Sequence, residues 1–505
     1  MFRIFGPPGT GKTTTLLNMV DEALGKGTPP ERIAFLAFTR KAANEARERA
    51  ADRFHLDPKK DLVFFRTLHS LALTMTDIRR EQVMQDEHYR ELGRAIGVTF
   101  GSQKTTSIDD DTPSLDANSD PILNLINLAR LRKTDLRSQY NSSTLDYDWN
   151  TVKYVDKGLR EYKEKMGLYD FTDMLEHFAR GEDKFCPSFD LCFLDEAQDL
   201  SPLQWDIAHI LDRNSTRMYC AGDDDQAIYR WAGADVDHFI NLPGGSETLS
   251  QSYRIPKSVH TIAENVVRRI GRRFPKRYEP RDEPGKVSRI NTINSLDMTK
   301  GTWLILSQAG YQLQPVASDL KSGGYLFTYR GHRSVSEKIS EAVNGWEQMR
   351  KGKEISGKTA RTIYRHMSVG TRVTRGFKKL PAVEDTDLVT FDELVEKHGL
   401  LADKNLIWSE ALDKLPETDR AYVTALLRRG EKFNGIPRIT ASTIHGSKGG
   451  EADNVVLFTD LSPAADNAMR IHPDDMHRVF YVAVTRTKQN LFIVEAEDMS
   501  RSYAL

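Results

Sequence analysis

The chain has 505 residues, 39% of them hydrophobic and 28% charged, with a formal net charge of −1. This composition is typical of a globular protein, and the length allows more than one domain. No apolar run reaches the roughly 18–20 residues of a membrane span, and three scattered cysteines exclude a disulfide framework. Since the N-terminus does not resemble a secretion signal either, we expect an intracellular protein without a membrane segment.

The pattern of apolar runs predicts an α/β protein with two parallel sheets, one in each half of the chain. Short β-branched and aromatic runs, typical of buried parallel strands, alternate with longer helical stretches. The first set of runs is Phe2–Phe5, Arg32–Phe38, Leu62–Phe65, Leu191–Leu194 and Arg217–Cys220. The second set is Val287–Ile290, Trp303–Leu306, Tyr325–Tyr329, Ile439–Thr443, Val455–Thr459 and Leu491–Val494.

Two insertions interrupt these sets. Residues 71–165 are helical in pattern, except for a polar segment at Gly101–Asp120 that predicts a flexible loop. Residues 346–435 begin with a basic run, which has ten Lys and Arg against two Glu between positions 346 and 380. A local basic surface can bind phosphates even on a neutral protein, but an ordinary solvated surface explains the run equally well.

The segment after the first predicted strand fits the nucleotide-binding pattern GxxxxGK[ST] at every fixed position. A helical run, Thr14–Leu24, follows it, so the required strand–loop–helix context is present. Backbone N–H groups of such a loop surround phosphates, and we expect Lys12 to reach the β- and γ-phosphates of ATP and Thr13 to bind Mg²⁺. The predicted nucleotide contacts of this segment are Gly6, Pro7, Pro8, Gly9, Thr10, Gly11, Lys12, Thr13 and Thr14.

A later apolar strand ends in two carboxylates, Asp195 and Glu196. Beside a phosphate loop, Asp195 is expected to bind Mg²⁺, and Glu196 is expected to orient and deprotonate the attacking water. Phosphoryl transfer also needs positive charge at the γ-phosphate, for which Arg254 and Arg486 are candidates.

Seven segments resemble, in order, the motifs of the UvrD/Rep family of superfamily-one helicases. They are Ala37–Ala43, Thr67–Ser70, Asp195–Asp199, Gly222–Trp231, Gln251–Arg254, Thr443–Glu451 and Tyr481–Arg486. The resemblance covers nearly the whole chain apart from the two insertions. It implies a DNA helicase that moves along single-stranded DNA, 3′ to 5′, by ATP-driven closure of two RecA-like domains.

The resemblance also implies four structural parts. Residues 1–70 and 166–248 would form the first RecA-like domain, with 71–165 as its inserted subdomain. Residues 249–345 and 436–505 would form the second, with the basic insertion 346–435.

Individual residues take roles from the same resemblance. Gln226 resembles the γ-phosphate or water sensor, Tyr253 the aromatic that stacks on adenine, and Glu451 the ribose contact. The implied strand contacts are Phe38, Thr67, His69, Tyr229, Trp231 and His445. Aromatic faces stack on any base, at roughly 1–3 kcal/mol per base, although Phe38 and Trp231 would also suit a hydrophobic core.

The chain departs from the family around adenine. Many relatives carry an arginine where this chain has Thr14, and we expect their N-terminal glutamine element to be missing here. Nucleotides other than ATP therefore remain possible substrates. The compact form suggests a viral member that acts in the cytoplasm of a bacterial or phage-infected cell.

Two other functions remain open at this point. The protein could be a translocase that strips proteins from single strands, or a slow nucleotide-dependent binding switch, which the presence of Glu196, Arg254 and Arg486 argues against. Single-stranded and junction DNA are the expected partners, and RNA is the less favoured track. No nuclease domain is expected after Arg486.

Overall fold

The computed structural model describes residues 1–38, 40–100, 120–432, 435–496 and 498–505. Its strands are β1 (Phe2–Phe5), β2 (Ile33–Ala37), β3 (Phe65–Thr67), β4 (Phe189–Leu194), β5 (Ser215–Gly222), β6 (Ser246–Thr248), β7 (Gln251–Pro256), β8 (Glu279–Arg281), β9 (Lys286–Ile290), β10 (Trp303–Ser307), β11 (Phe327–Tyr329), β12 (His332–Arg333), β13 (Ile355–Ser356), β14 (Leu388–Val389), β15 (Ile439–Thr443), β16 (Ala452–Phe458) and β17 (Thr487–Val494).

The helices of the described residues alternate with these strands. They are α1 (Lys12–Gly25), α2 (Arg40–Phe54), α3 (Leu68–Met75), α4 (Asp86–Ile96), α5 (Pro121–Leu131), α6 (Leu136–Asn141), α7 (Trp149–Met166), α8 (Phe171–Gly181), α9 (Pro202–Arg213), α10 (Val236–Asn241), α11 (Lys257–Val267), α12 (Leu313–Ser322), α13 (Glu337–Arg350), α14 (Gly357–Arg365), α15 (Phe391–Lys397), α16 (Trp408–Ala411), α17 (Glu417–Arg429), α18 (Pro463–Ile471) and α19 (Pro473–Val484).

The first compact unit comprises Met1–Pro284 and Ala468–Thr485. Among its described residues, six strands form a parallel sheet in the order β3-β2-β4-β5-β1-β6. Neighbouring residues Ile4 and Phe5 of β1 are both fully buried, and they belong to different apolar clusters. Burial on both faces is why these strands read as continuous apolar runs, and it confirms the predicted parallel sheet.

The carboxyl ends of these strands meet at one edge of the sheet, where open α/β sheets bind ligands. The phosphate loop 6–11 follows β1, Asp195 follows β4, and Asp223 follows β5. The sheet order therefore gathers three sequence motifs at one edge.

The third predicted strand was misplaced by three residues. In the structure, β3 begins at Phe65. Leu62 lies in the preceding turn, where its carbonyl accepts a hydrogen bond from the Phe65 N–H at 3.2 Å. Leu62 is nevertheless buried. An apolar run predicts burial, but it does not show which backbone groups pair with a neighbouring strand.

The first insertion forms a small core of its own. Helices α4, α5 and α7 contribute Leu92, Ile122 and Val155 to an apolar cluster separate from the clusters at the sheet. Asp120 caps α5 by accepting hydrogen bonds from two backbone N–H groups. Apart from Asp120, the loop predicted at Gly101–Asp120 lies outside the described residues.

The second unit comprises Gly285–Asn467 and Arg486–Leu505. Its described strands form a sheet in the order β12-β11-β15-β10-β16-β17-β9, parallel except for the β11–β12 pair. Ile305 and Val456 of this sheet share one apolar cluster with Trp346 and Leu394 of the second insertion. The basic insertion therefore packs onto the same core as the sheet. Two RecA-like sheets are thus confirmed, while the exact four-part division stays a prediction.

Within the described part of the chain, no helix has both the length and the apolar character required of a membrane span.

Candidate nucleotide and strand sites

The phosphate loop needs glycine at three positions. A β-carbon on Gly6 would lie 2.6 Å from that of Lys12, so the lysine side chain passes directly over the glycine. Gly9 and Gly11 have φ angles of 73° and 78°, a left-handed conformation that glycine adopts without strain. The pattern GxxxxGK[ST] is therefore a backbone requirement in this protein.

Residues 252–254 pack directly onto this loop. The Ser252 hydroxyl donates to the Pro8 carbonyl at 2.8 Å, and the Tyr253 N–H donates to the Gly9 carbonyl at 2.8 Å. A side chain on Gly9 would collide with Arg254. These contacts group Arg254 with the first compact unit, although the sequence assigned position 254 to the second RecA-like domain.

The predicted catalytic side chains converge beside the loop. The Lys12 ammonium lies 2.8 Å from Glu196 Oε1, and the Thr13 hydroxyl donates to Asp195 Oδ2 at 2.6 Å. Burial by itself would lower the pKa of Lys12, but the nearby carboxylates, Glu196 above all, outweigh it and raise that pKa. Lys12 is therefore a fixed positive charge.

Thr13 and Asp195 suit a magnesium ion. A hydroxyl and a carboxylate are the hard oxygen ligands that Mg²⁺ prefers. The Asp195 side chain is 1% exposed, and burial, only partly offset by Lys12, raises its pKa. A bound divalent cation would supply the positive charge that keeps this carboxylate ionised.

Glu196 is held in an unusual conformation that the sequence did not predict. Its φ angle is 56°, a left-handed value uncommon for a residue with a side chain. The amide of Gln198 donates to Glu196 Oε2 at 2.6 Å, and its oxygen accepts from the Asp223 N–H at 2.9 Å. Gln198 thus connects the candidate base to the turn that carries Gln226. Only its place in the motif Asp195–Asp199 could have drawn attention to it.

Three aromatic residues predicted to contact DNA lie together in the first unit. Phe38 stacks with Tyr229 at 5.7 Å between ring centroids, and Tyr229 lies 6.3 Å from Trp231. Trp231 is 49% exposed, whereas Phe38 is partly buried against the core. Exposure favours a binding role for Trp231 over the core role that the sequence left open.

Thr67 and His69 lie in a different environment. Their side chains are 2% and 6% exposed, and burial lowers the pKa of His69 to about 4. Thr67 caps α3 by accepting from the Ser70 N–H at 3.3 Å. Contact with a strand would therefore need their backbone or a local rearrangement, and it stays a prediction.

Arg486, Glu451 and His445 lie in the second unit. The Arg486 guanidinium is buried and donates to the Gly450 carbonyl at 3.2 Å, while Glu451 pairs with Lys488 at 2.5 Å. His445 is half-buried in the turn after β15. Tyr253, in the first unit, is 74% exposed, which leaves its ring open for stacking. Thr14 is also exposed.

The basic run divides into structural and exposed cations. The Arg361 guanidinium binds Asp385 at 3.1 Å and the Val383 carbonyl at 2.5 Å, and Lys378 donates to the Met367 carbonyl at 2.6 Å. The exposed cations are Lys351, Lys353, Lys358, Arg365, Arg375 and Lys379. The exposed group is the part of the basic run best suited to bind phosphates.

Family models and curated relatives that match this chain are described as helicases. The family model described as UvrD/REP helicase N-terminal domain matches residues 2–244, and the UvrD-like helicase C-terminal domain matches residues 438–494. The ATP-dependent DNA helicase PcrA of Bacillus subtilis is 26% identical over 296 residues, which are 55% of this chain and 39% of that protein. PcrA of Leuconostoc citreum is 24% identical over 287 residues, 54% of this chain and 38% of its own length.

A third relative, a probable DNA helicase of Mycoplasma pneumoniae, is 26% identical over 305 residues, 54% of each chain. The matches thus span about two fifths to a half of the length of these relatives. Among solved structures, PRRSV helicase is similar at a TM-score of 0.34 and 12% identity, covering 100% of this chain and 54% of that one. The two family models together match more than half of the chain, and on that basis this protein belongs to the UvrD/REP helicase family.

Proposed function

We propose that this protein hydrolyses ATP with Mg²⁺ and uses the energy to move along single-stranded DNA, 3′ to 5′, and to unwind duplex DNA. The observation that carries the proposal is the convergence of four side chains at the carboxyl edge of one sheet. Thr13 and Asp195 lie 2.6 Å apart, and Lys12 and Glu196 lie 2.8 Å apart. The curated relatives described as ATP-dependent DNA helicases support the same function.

Each of these residues has a defined part in hydrolysis. The loop N–H groups and Lys12 would bind the phosphates. Thr13 and Asp195 would hold Mg²⁺, which would neutralise negative charge on the phosphates. Glu196 accepts the proton of the attacking water. Because Lys12 and Glu196 pair with each other at 2.8 Å, we expect nucleotide binding to draw Lys12 toward the phosphates, which would free the carboxylate for water.

The motor step follows from the family plan. Binding and release of the γ-phosphate bias closure of the two RecA-like domains, and Arg254 and Arg486 supply positive charge in the closed state. The track is single-stranded or junction DNA, and the setting is the cytoplasm of a bacterial or phage-infected cell.

Strand-stimulated hydrolysis and tailed-duplex unwinding test this proposal together. We expect single-stranded DNA to raise the ATPase rate, and we expect a 3′-tailed duplex to be unwound while a 5′-tailed duplex is not. Stimulation without unwinding of either substrate would favour the stripping translocase. Slow hydrolysis that DNA does not change would favour the binding switch. An ATPase rate that rises with single-stranded RNA and not with single-stranded DNA would contradict the proposal that the protein moves along DNA.

Trp231→Ala is expected to weaken strand binding by on the order of 1–3 kcal/mol through loss of base stacking. Unwinding should fall further than DNA-stimulated ATPase at saturating strand, because Trp231 and Gln226 lie in one short segment. Strand affinity, both rates and melting temperature are measured on one preparation.

The buried Trp205 offers a matched control for Trp231. It is 1% exposed, so Trp205→Ala should lower the melting temperature and reduce all activities in parallel, since truncating a core aromatic costs roughly 3–5 kcal/mol. If Trp231→Ala behaves in the same way, the stacking role is wrong.

Neutralising Arg365, Arg375 and Lys379 to Gln should weaken junction binding more than single-strand binding. All three are exposed in the basic insertion. The plot of log affinity against log salt concentration should become less steep, with the magnitude of its slope reduced by about one per phosphate contact removed. Neutralising Lys26, Lys59 and Lys60 makes the same charge change on an exposed surface of the first unit. Equal effects of the two triple variants would assign the basic run to an ordinary solvated surface.

A further inference from the structure

A buried acidic turn follows β5 at the edge of the first sheet. Asp223, Asp224 and Asp225 are all fully buried, and their carboxylate oxygens lie within 4.8 Å of one another. Burying like charges so close together is costly unless cations pair with them. The turn therefore requires positive charge from elsewhere in the fold.

That charge comes from the segment between α11 and β8. The Lys276 ammonium, whose side chain is 2% exposed, lies 3.1 Å from Asp223, 2.6 Å from Asp224 and 2.6 Å from Asp225. Arg273 adds two hydrogen bonds to Asp225, at 2.9 and 2.7 Å. The three carboxylates are close enough together to hold a metal ion, but the Lys276 ammonium group lies among them. Lys276 lies outside every motif identified in the sequence.

Asp223 connects this ion cluster to the nucleotide site. Its Oδ2 accepts a hydrogen bond from the Gln226 amide at 2.7 Å, and its backbone N–H donates to Gln198, which in turn binds Glu196. The Asp223 charge also reaches Lys12. Burial lowers the pKa of Lys12, and Asp223 is among the carboxylates, after Glu196 and Asp195, that raise it. A change in the position or charge of Asp223 therefore alters both the electrostatic environment of Lys12 and the hydrogen bond that holds the Gln226 amide.

We propose that Lys276 is a positioning residue for ATP hydrolysis, whose ammonium group holds Asp223 in place and through it orients the amide of Gln226 toward the γ-phosphate. Lys276 also neutralises a cluster of carboxylates that would otherwise repel the triphosphate. The inference rests on the proposed function, and it adds a residue that acts through Asp223 without touching the nucleotide.

A purely structural role makes a different prediction. If Lys276 only compensates buried charge, its loss lowers thermal stability and reduces every activity in proportion to the folded fraction. If it positions Gln226, its loss also weakens the preference of the folded protein for a triphosphate over a diphosphate. That preference is a ratio of two affinities, so a smaller folded fraction does not change it.

The test compares Lys276→Met with Lys276→Arg and with Lys163→Met. Lys163 is the matched control, because its ammonium is also buried and lies 2.6 Å from both Asp170 and Asp173, within the same unit. Melting temperature, KM and kcat for ATP, and Kd for ADP and a non-hydrolysable ATP analogue are measured for each variant.

We expect Lys276→Met to raise KM and to reduce the ratio of ADP Kd to analogue Kd by about tenfold, the effect of one displaced charge-assisted hydrogen bond. Lys276→Arg should recover much of the ratio. Lys163→Met should lower the melting temperature and leave the ratio at the parent value. An unchanged ratio in Lys276→Met would overturn the proposal.

A double variant covers the case in which Lys276→Met does not fold. Asp224→Asn removes one buried negative charge and keeps an acceptor for the Phe274 N–H, which donates to Asp224 at 2.7 Å. Lys276→Met with Asp224→Asn should fold and still lack the triphosphate preference, since Asp223 has no ammonium partner. A parent-like preference in this variant would refute the positioning role. If the parent hydrolyses no ATP, the proposed function fails, while the two affinities still decide the role of Lys276.

Discussion

Lys12→Ala is expected to lower ATP turnover by on the order of 10²–10³-fold or more, because the γ-phosphate loses its closest counter-charge in a site of low exposure. The Lys12 side chain is 10% exposed, and the neighbouring carboxylates hold it in the charged form. Steady-state ATPase at saturating single-stranded DNA measures the loss.

Strand affinity should stay near the parent value in this variant, because the proposed contacts of Trp231 and Tyr229 lie outside the phosphate loop. Lys26→Ala is the control, since Lys26 directly follows the same helix and is 71% exposed. It should leave turnover unchanged. Parent-like turnover in Lys12→Ala would contradict the phosphate-loop assignment. If the variant loses strand binding together with turnover, misfolding is the explanation, and the melting temperature checks it.

Glu196→Gln should retain ATP binding and lower turnover by about 10²–10⁴-fold, the usual contribution of a general base. The substitution preserves size and keeps one oxygen as an acceptor. The parent carboxylate accepts hydrogen bonds from Lys12 and Gln198 through different oxygens, so glutamine can keep only one of these two hydrogen bonds. The φ angle of 56° is as unfavourable for glutamine as for glutamate, so no new backbone strain arises.

Binding of a fluorescent ATP analogue and steady-state hydrolysis separate the two steps for Glu196→Gln. Glu22→Gln, an exposed change on α1, is the matched control and should alter neither. Brisk hydrolysis by Glu196→Gln would show that another group activates the water, and Asp199 would be the next carboxylate to test.

Local sequence patterns predicted a large part of this protein. The phosphate loop depends on residues that are neighbours in the chain, since glycine conformation and the start of α1 involve only positions 6–13. Strands buried on both faces, such as β2 and β10, leave nearly continuous apolar runs that can be recognised without knowing which strands they pair with. The order of motifs then led to the family that the two family models confirm.

Tertiary structure alone decided the contacts between distant segments. Lys276 lies about fifty positions after the acidic turn that it neutralises, and nothing in its local sequence separates it from a surface lysine. The side chains of Ser252 and Arg254 lie against the backbone of the phosphate loop, far from them in the chain, and no local sequence pattern predicts these contacts. Apolar or aromatic character also could not separate exposed Trp231 from partly buried Phe38. Periodicity reports whether a side chain is buried or exposed on its own element, whereas charge partners and packing neighbours depend on how the elements come together in space.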